Sequence, residues 1–273
     1  MPPTLKQALI FIATRAVLVI LIIGTAFGGI ILYDYTQEAD ELPFSDETCN
    51  TAVIPINGFI STLSEDQDDY SVDADDVVYQ LRAADSQEHV KAILVQIDSG
   101  GGRPVASEMI TNELLRTSKP TVALIREGGT SGAYMLATGA DTIIASSMSD
   151  VGSIGVTASY IETAGSMEQV GNKYIELAAG KYKDSGDPNK ELTDEEKALI
   201  QRDLDVVHEK FITIVATNRN MPIEDVSVLA DGSSMTGEMG LEKKLVDAIG
   251  DEWTAINWIE EKLGEDVTFC ELW

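Results

Sequence analysis

Three times in this sequence a short apolar run gives way, through small or polar residues, to a stretch with helical spacing. Thr51–Ile60 is followed by an acidic loop, Ser64–Asp76, and then by Val77–Ala84. His89–Asp98 ends at Ser99-Gly-Gly-Gly-Arg103 and precedes a predicted helix over Ser107–Arg116, with Ser107 or a neighbour near its cap. Thr121–Ile125 ends in a glycine-rich turn and is followed by an apolar helix over Tyr134–Gly139. Strands joined through helices lie parallel, so the alternation predicts an α/β domain built of βαβ units. Further strands are expected at Asp141–Ala145, after Ser149–Val156, and at Lys173–Ala178. Thr193-Asp-Glu-Glu196 reads as a capping box opening a long amphipathic helix that reaches Asn218. Pro222–Trp273 reads as short helices around Leu245-Val-Asp247.

Ahead of this domain, Ala16–Tyr33 carries no charge over 18 positions, which as a helix spans about 27 Å, close to the hydrocarbon thickness of a bilayer. A cleavable signal peptide is the alternative. The run is longer than an ordinary signal core and no small-x-small site follows Tyr33, so an uncleaved anchor is expected. Lys6 and Arg15 precede the span, whereas all 46 acidic residues follow it. The positive-inside rule then places the N-terminus in the cytoplasm and the rest outside the cell membrane. The expected division is residues 1–33 as cytoplasmic end and anchor, 34–50 as tether, and 51–273 as the functional domain.

A net charge of −27 removes the basic footprint that nucleic-acid binding requires. It fits a solvated surface adapted to high salt, or an acidic chamber that attracts basic peptides. Two cysteines, Cys49 and Cys270, are too few for a thiolate zinc cluster. Outside the membrane they permit one disulfide, and two buried thiols are the other reading. No metal or cofactor is called for.

The turn after Thr121–Ile125 places Ser131 between Thr130 and Gly132, at a strand-to-helix junction. The first N–H groups of a helix have no intrahelical partner, so developing negative charge is stabilised there. A nucleophilic serine suits that position, with the Gly132 N–H as an oxyanion donor. A glycine-rich turn with a serine cap is the bland alternative. A nucleophile needs a base. His89 stands at a strand entrance and His208 inside the long helix, and both read as surface residues. The G-x-S-x-G and S-x-x-K patterns are both absent. A lysine, kept neutral by burial, remains, with Lys173, Lys181 and Lys183 as candidates.

Four segments, in order, resemble those of the signal peptide peptidase A family. Ile97-Asp-Ser-Gly-Gly-Gly-Arg-Pro-Val-Ala-Ser-Glu108 is similar to its N-S-P-G-G-x-x-x-x-S-E, and Thr130-Ser-Gly-Ala-Tyr134 to its S-G-G-Y. Gly152-Ser-Ile-Gly-Val156 matches its G-S-I-G-V, and Gly180-Lys-Tyr-Lys-Asp184 resembles its lysine loop. The resemblance implies a Clp protease/crotonase-like fold of repeated ββα units behind a transmembrane helix. It implies a serine-lysine peptidase with Ser131 as nucleophile, Lys183 as general base, the backbone N–H groups of Gly102 and Gly132 as oxyanion hole, and Ser153 orienting the lysine. Lys181 is the runner-up base. The family's Asn and Pro stand here as Asp98 and Gly100, and its second glycine after the serine as Ala133.

The resemblance also implies peptide substrates, namely cleaved signal peptides or other apolar membrane segments, and a ring-shaped homo-oligomer with its active sites inside, each either within one subunit or shared between subunits. Two rivals stand beside it. An acyl-CoA hydratase or isomerase would use the same pair of N–H groups without Ser131, and an inactive membrane-tethered scaffold would need neither Ser131 nor Lys183.

Overall fold

The computed structural model describes residues 43–44, 46–62 and 71–270. The expected anchor, Ala16–Tyr33, lies outside the described residues. Among the described residues no helix is long and apolar enough to cross a membrane. From Asp46 onwards the chain forms one compact unit.

In chain order the elements are β1 (Thr51–Asn57), β2 (Phe59–Ser61), β3 (Ser71–Asp73), α1 (Ala74–Ser86), β4 (Ala92–Ser99), α2 (Pro104–Leu114), β5 (Thr121–Thr130), α3 (Gly132–Ala137), β6 (Thr142–Ala145) and β7 (Asp150–Gly152). They continue with α4 (Ala164–Gln169), α5 (Asp194–Asn218), α6 (Ile223–Leu229), β8 (Ser234–Thr236), α7 (Gly237–Glu242), β9 (Ala248–Ile249), α8 (Glu252–Leu263) and β10 (Phe269–Cys270). The main sheet runs β10-β1-β4-β5-β6-β9. Every neighbouring pair along that path is parallel, so the α/β expectation is met. Ala92, Leu94, Val122, Leu124 and Ile144 alternate onto one face and meet Ala255 and Ile259 of α8. Alternation along a strand puts Ile93, Val95, Ala123 and Ile125, all buried, on the other face.

Several expected boundaries move for identifiable reasons. Gly58, at φ +80°, breaks the first apolar run into β1 and β2. Helix α2 starts at Pro104, whose missing N–H is an orphan at that position anyway, so Ser107 lies inside the helix and is fully buried. The short helices expected around Leu245-Val-Asp247 form as α6, α7 and α8, and Leu245-Val-Asp247 itself is the non-helical link into β9, its Asp247 carboxylate accepting from the Ile143 N–H at 2.8 Å. The strand expected at Lys173–Ala178 is absent: that stretch is irregular and mostly exposed, with no neighbouring strand among the described residues to complete its backbone hydrogen bonds.

Cys49 and Cys270 are joined, so the first of the two cysteine readings holds. His89 lies beside this bridge, its ring nitrogen within 4.8 Å of the sulfurs. The bridge closes a loop of sequence separation 221 and sits where β10 pairs with β1, Ala52 opposite Cys270. Loop-closure entropy on that scale contributes about 5 kcal/mol to stability. Urea unfolding with and without a thiol reductant measures it. An unchanged midpoint would show that the closure contributes nothing.

Candidate active site

Strand β5 delivers the site. Its first half, Val122–Ile125, pairs with β6, and its second half, Gly128–Thr130, pairs with β7 beyond the end of β6. The strand therefore projects past the main sheet and presents its last residues at the carboxyl edge, where α/β proteins place ligands. Ser131 follows at once as the N-cap of α3, with φ +53° and ψ −126°. That conformation costs an L-residue on the order of 1–3 kcal/mol. It is held by the Ser131 N–H donating to the Gly152 carbonyl at 2.8 Å and the Met135 N–H donating to the Ser131 carbonyl at 3.0 Å. Behind it α3 is wholly buried, and the Tyr134 hydroxyl donates to the Leu245 carbonyl at 2.8 Å.

The glycine turn after β4 packs directly on this junction. A Cβ on Gly101, at φ +100°, would lie 2.7 Å from the Gly132 nitrogen, so only glycine permits the approach. The turn is fixed from both sides: the Gly101 N–H donates to Ser99 Oγ at 3.0 Å, and the Arg103 N–H to the Ile60 carbonyl at 2.8 Å. Ile60 also takes up the Gly101 carbonyl, at 3.1 Å. With its neighbours facing Ile60, the Gly102 N–H points the other way, as alternate residues of a bridge do. It lies 3.2 Å from the point where a Cβ on Gly132 would stand. The structure thus brings Gly102, Ser131 and Gly132 together. The same point is 2.2 Å from Oγ of Ser107, a buried hydroxyl with no partner among the described residues.

The departures from the family pattern are accommodated. Asp98 Oδ1 accepts from the Gly128 N–H at 3.3 Å, a contact an asparagine carbonyl could also make. Nothing lies within 4 Å of where a Cβ on Gly100 would point, so crowding does not exclude a larger residue there.

An open cavity of about 380 Å³ lies over Ser131. Gly102, Gly132, Met135 and Ser153 line it on the sheet side, and Gln201, Leu204, Asp205, His208 and Phe211 on the side of α5. Ser153 enters through register: Thr130 pairs with Gly152, so Ser131 and Ser153 are the next residues on each strand. Its hydroxyl donates to the Gly232 carbonyl at 2.9 Å. Asp231 also lines the cavity, and the Ser233 hydroxyl and N–H hold its carboxyl below the usual range. Helix α5 is anchored at its start by the expected capping box. Lys190, 2.9 Å away, and Thr193 bring the Glu196 carboxyl from 4.5 down to about 2.

The lysines lie elsewhere. Lys183 is exposed and does not line the cavity of its own chain. Lys181 pairs with Glu195 at 2.6 Å, and that hydrogen bond pushes its amine up and keeps it charged, which disfavours it as a base. Both belong to an arm, residues 155–195, in which no residue is buried. His208, expected at the surface, is half-buried in the cavity wall. The three- and four-residue spacing of Gln201, Leu204, His208 and Phe211 marks one helix face. Which face meets Ser131 is decided only by the packing of α5 against α3.

With this geometry in place, comparison with known proteins is decisive. The profile of Peptidase family S49 matches residues 113–266. The chain belongs to that family. It is 35% identical over 191 residues to "Putative protease MJ0651" of Methanocaldococcus jannaschii, covering 68% of this chain and 61% of the relative. It is 35% identical over 196 residues to "Putative protease slr0021" of Synechocystis, covering 70% and 71%. A third relative, "Serine protease SPPA, chloroplastic" of Arabidopsis thaliana, is 30% identical over 206 residues, covering 73% of this chain and 30% of its own length. The family match contains Ser131, Gly132, Ser153, Lys183 and His208, whereas Gly102 precedes it. The chain spans about three-fifths of the first of these relatives.

Proposed function

We propose that the protein is a membrane-anchored serine endopeptidase acting through Ser131 and Lys183, on a scaffold of the Clp protease/crotonase type. The observation that carries the reading is the strained Ser131, set at a helix N-terminus and flanked by the Gly102 and Gly132 N–H groups, in a chain of Peptidase family S49. Ser131 Oγ attacks a peptide carbonyl and passes its proton to the neutral amine of Lys183. The two N–H groups hold the oxyanion, each contributing on the order of 3 kcal/mol to the barrier reduction. The lysinium then protonates the leaving amine, and water releases the acyl-enzyme.

Lys183 reaches Ser131 from a second copy of the chain. The arm that carries it exposes Ile161 at 83%, Val170 at 72%, Ile175 at 70% and Leu177 at 95%. Apolar side chains left bare together on one segment mark a binding surface. A neighbouring copy seated on the arm would cover them, and a closed ring of copies would complete every site. Ser153, beside Ser131, is the group that orients the incoming amine. The substrates are apolar peptides released in or near the bilayer, cleaved signal peptides among them.

A fluorophosphonate probe tests the nucleophile. The full-length protein is expected to be labelled at Ser131, with labelling abolished by Ser131→Ala. Labelling that survives the substitution would remove Ser131 from the mechanism. Failure to label at all, together with an unaltered biological effect of Ser131→Ala, would favour the inactive scaffold.

A further inference from the structure

The two oxyanion donors belong to the starts of two different helices. Gly102 stands directly before Arg103, the N-cap of α2, and Gly132 is the first residue of α3. What lies between α2 and α3 therefore sets the distance between the donors. At the far end Gly139, just past α3, is pressed against α2: a Cβ there would stand 2.8 Å from the Thr111 carbonyl oxygen and 3.0 Å from the Leu114 Cβ. At the near end the place that a Cβ on Gly132 would take is filled by Ser107, whose Oγ is 2.2 Å and whose Cβ is 3.2 Å from that point. The Gly102 nitrogen is 3.2 Å from the same point, so the hydroxyl and both donors meet around one position. Ser107, Thr111 and Leu114, at four- and three-residue spacing, form one row along α2.

Stability alone does not account for a serine in that row. Ser107 is fully buried, and its Oγ has no hydrogen-bond partner among the described residues. A buried hydroxyl without a partner is destabilising, and alanine would relieve that at once. Alanine would also leave a gap beside Gly132. We propose that Ser107 is a positioning residue, a spacer whose hydroxyl oxygen bears on the Gly132 backbone and holds its N–H at the separation from the Gly102 N–H that an oxyanion requires. It acts by size and not by a hydrogen bond, and it touches neither the substrate nor the reacting atoms. The inference rests on the peptidase reading of Ser131, but not on which group deprotonates that serine.

The test is made in the full-length protein with three measurements: the rate of fluorophosphonate labelling at Ser131, cleavage of a fluorescein-labelled, leucine- and alanine-rich peptide, and urea unfolding. The phosphonyl oxygen enters the same pair of donors as the oxyanion, so the labelling rate reads their spacing directly. Ser107→Ala is expected to slow labelling and kcat by about tenfold, with KM within about twofold and the urea midpoint at or above that of the parent. A residue that only supports the fold would lower midpoint and rate together. Ser107→Cys returns the bulk without requiring a hydrogen-bond partner and is expected to keep kcat within about threefold of the parent. Parental labelling and kcat in Ser107→Ala would overturn the proposal. A fall in rate and midpoint together in both variants would also overturn it, because the hydroxyl would then act through a hydrogen bond that holds the fold. Absence of labelling in the parent would instead remove the peptidase reading itself, so the two failures are told apart by the parent chain.

Discussion

Co-assembly of a Lys183→Met chain with a Ser131→Ala chain is expected to restore peptidase activity that neither variant shows alone. Alone, each should lose about 10⁴-fold or more in kcat, as removal of a nucleophile or its base does elsewhere. Ser131 lies in a cavity that its own Lys183 does not line, and Lys183 lies on an arm without a buried residue. If the base crosses between copies, the Lys183→Met chain still offers an intact Ser131 and the Ser131→Ala chain an intact Lys183. Under random mixing roughly a quarter of the sites combine the two. Recovery therefore requires assembly, and it should vanish when Leu177, exposed on the same arm, is replaced by Asp in both chains. Activity in Lys183→Met alone, at the parental level, would remove the lysine from the mechanism. Two inert variants that stay inert when mixed, although they assemble, would show that serine and lysine must come from one chain.

The parallel sheet and the serine were legible in the sequence because both are local. Strands β4, β5 and β6 announce themselves as apolar runs, and Ser131-Gly132-Ala133 mark the junction with a helix, although Gly128–Thr130, expected as a turn, continue β5. The capping box at Thr193 is equally local and fixes the start of α5 to the residue. What was not legible depends on partners remote in sequence. Lys173–Ala178 has the composition of a strand, but a strand needs a neighbour and the arm has none among the described residues. His208 looked like one more polar residue on a long helix. Only the docking of the end of α5, through Phe211, Val215 and Ala216, shows that its face closes over Ser131. The two cysteines permitted a bridge without requiring one, and the pairing of β10 with β1 decided it.

Gly102→Ala is expected to lower kcat by about 10²- to 10³-fold while costing about 1–3 kcal/mol of stability. The reason is steric rather than conformational. Gly102 is not among the glycines at positive φ, but its new Cβ would stand 2.0 Å from the Ile60 carbonyl oxygen and 2.5 Å from the Ile60 nitrogen. Those are backbone atoms, so no side chain can swing aside to make room. Either β2 or the turn must move, and the hydrogen bonds from Arg103 N–H to Ile60 and from Ile60 N–H to Gly101 stretch together. The Gly102 N–H shifts with the turn, and an oxyanion donor displaced by a fraction of an ångström to an ångström no longer meets the developing charge. Gly100→Ala is the matched control, because its Cβ meets nothing within 4 Å and its φ is not positive. It should leave kcat within about twofold and stability within about 0.5 kcal/mol. Single-turnover kinetics and urea unfolding on the two variants separate the effects. Loss of stability in Gly102→Ala with kcat preserved would mean that the turn supports the fold but gives no donor to the reaction. Equal losses in both glycine variants would mean that it is the flexibility of the whole turn, and not the position of one N–H, that catalysis needs.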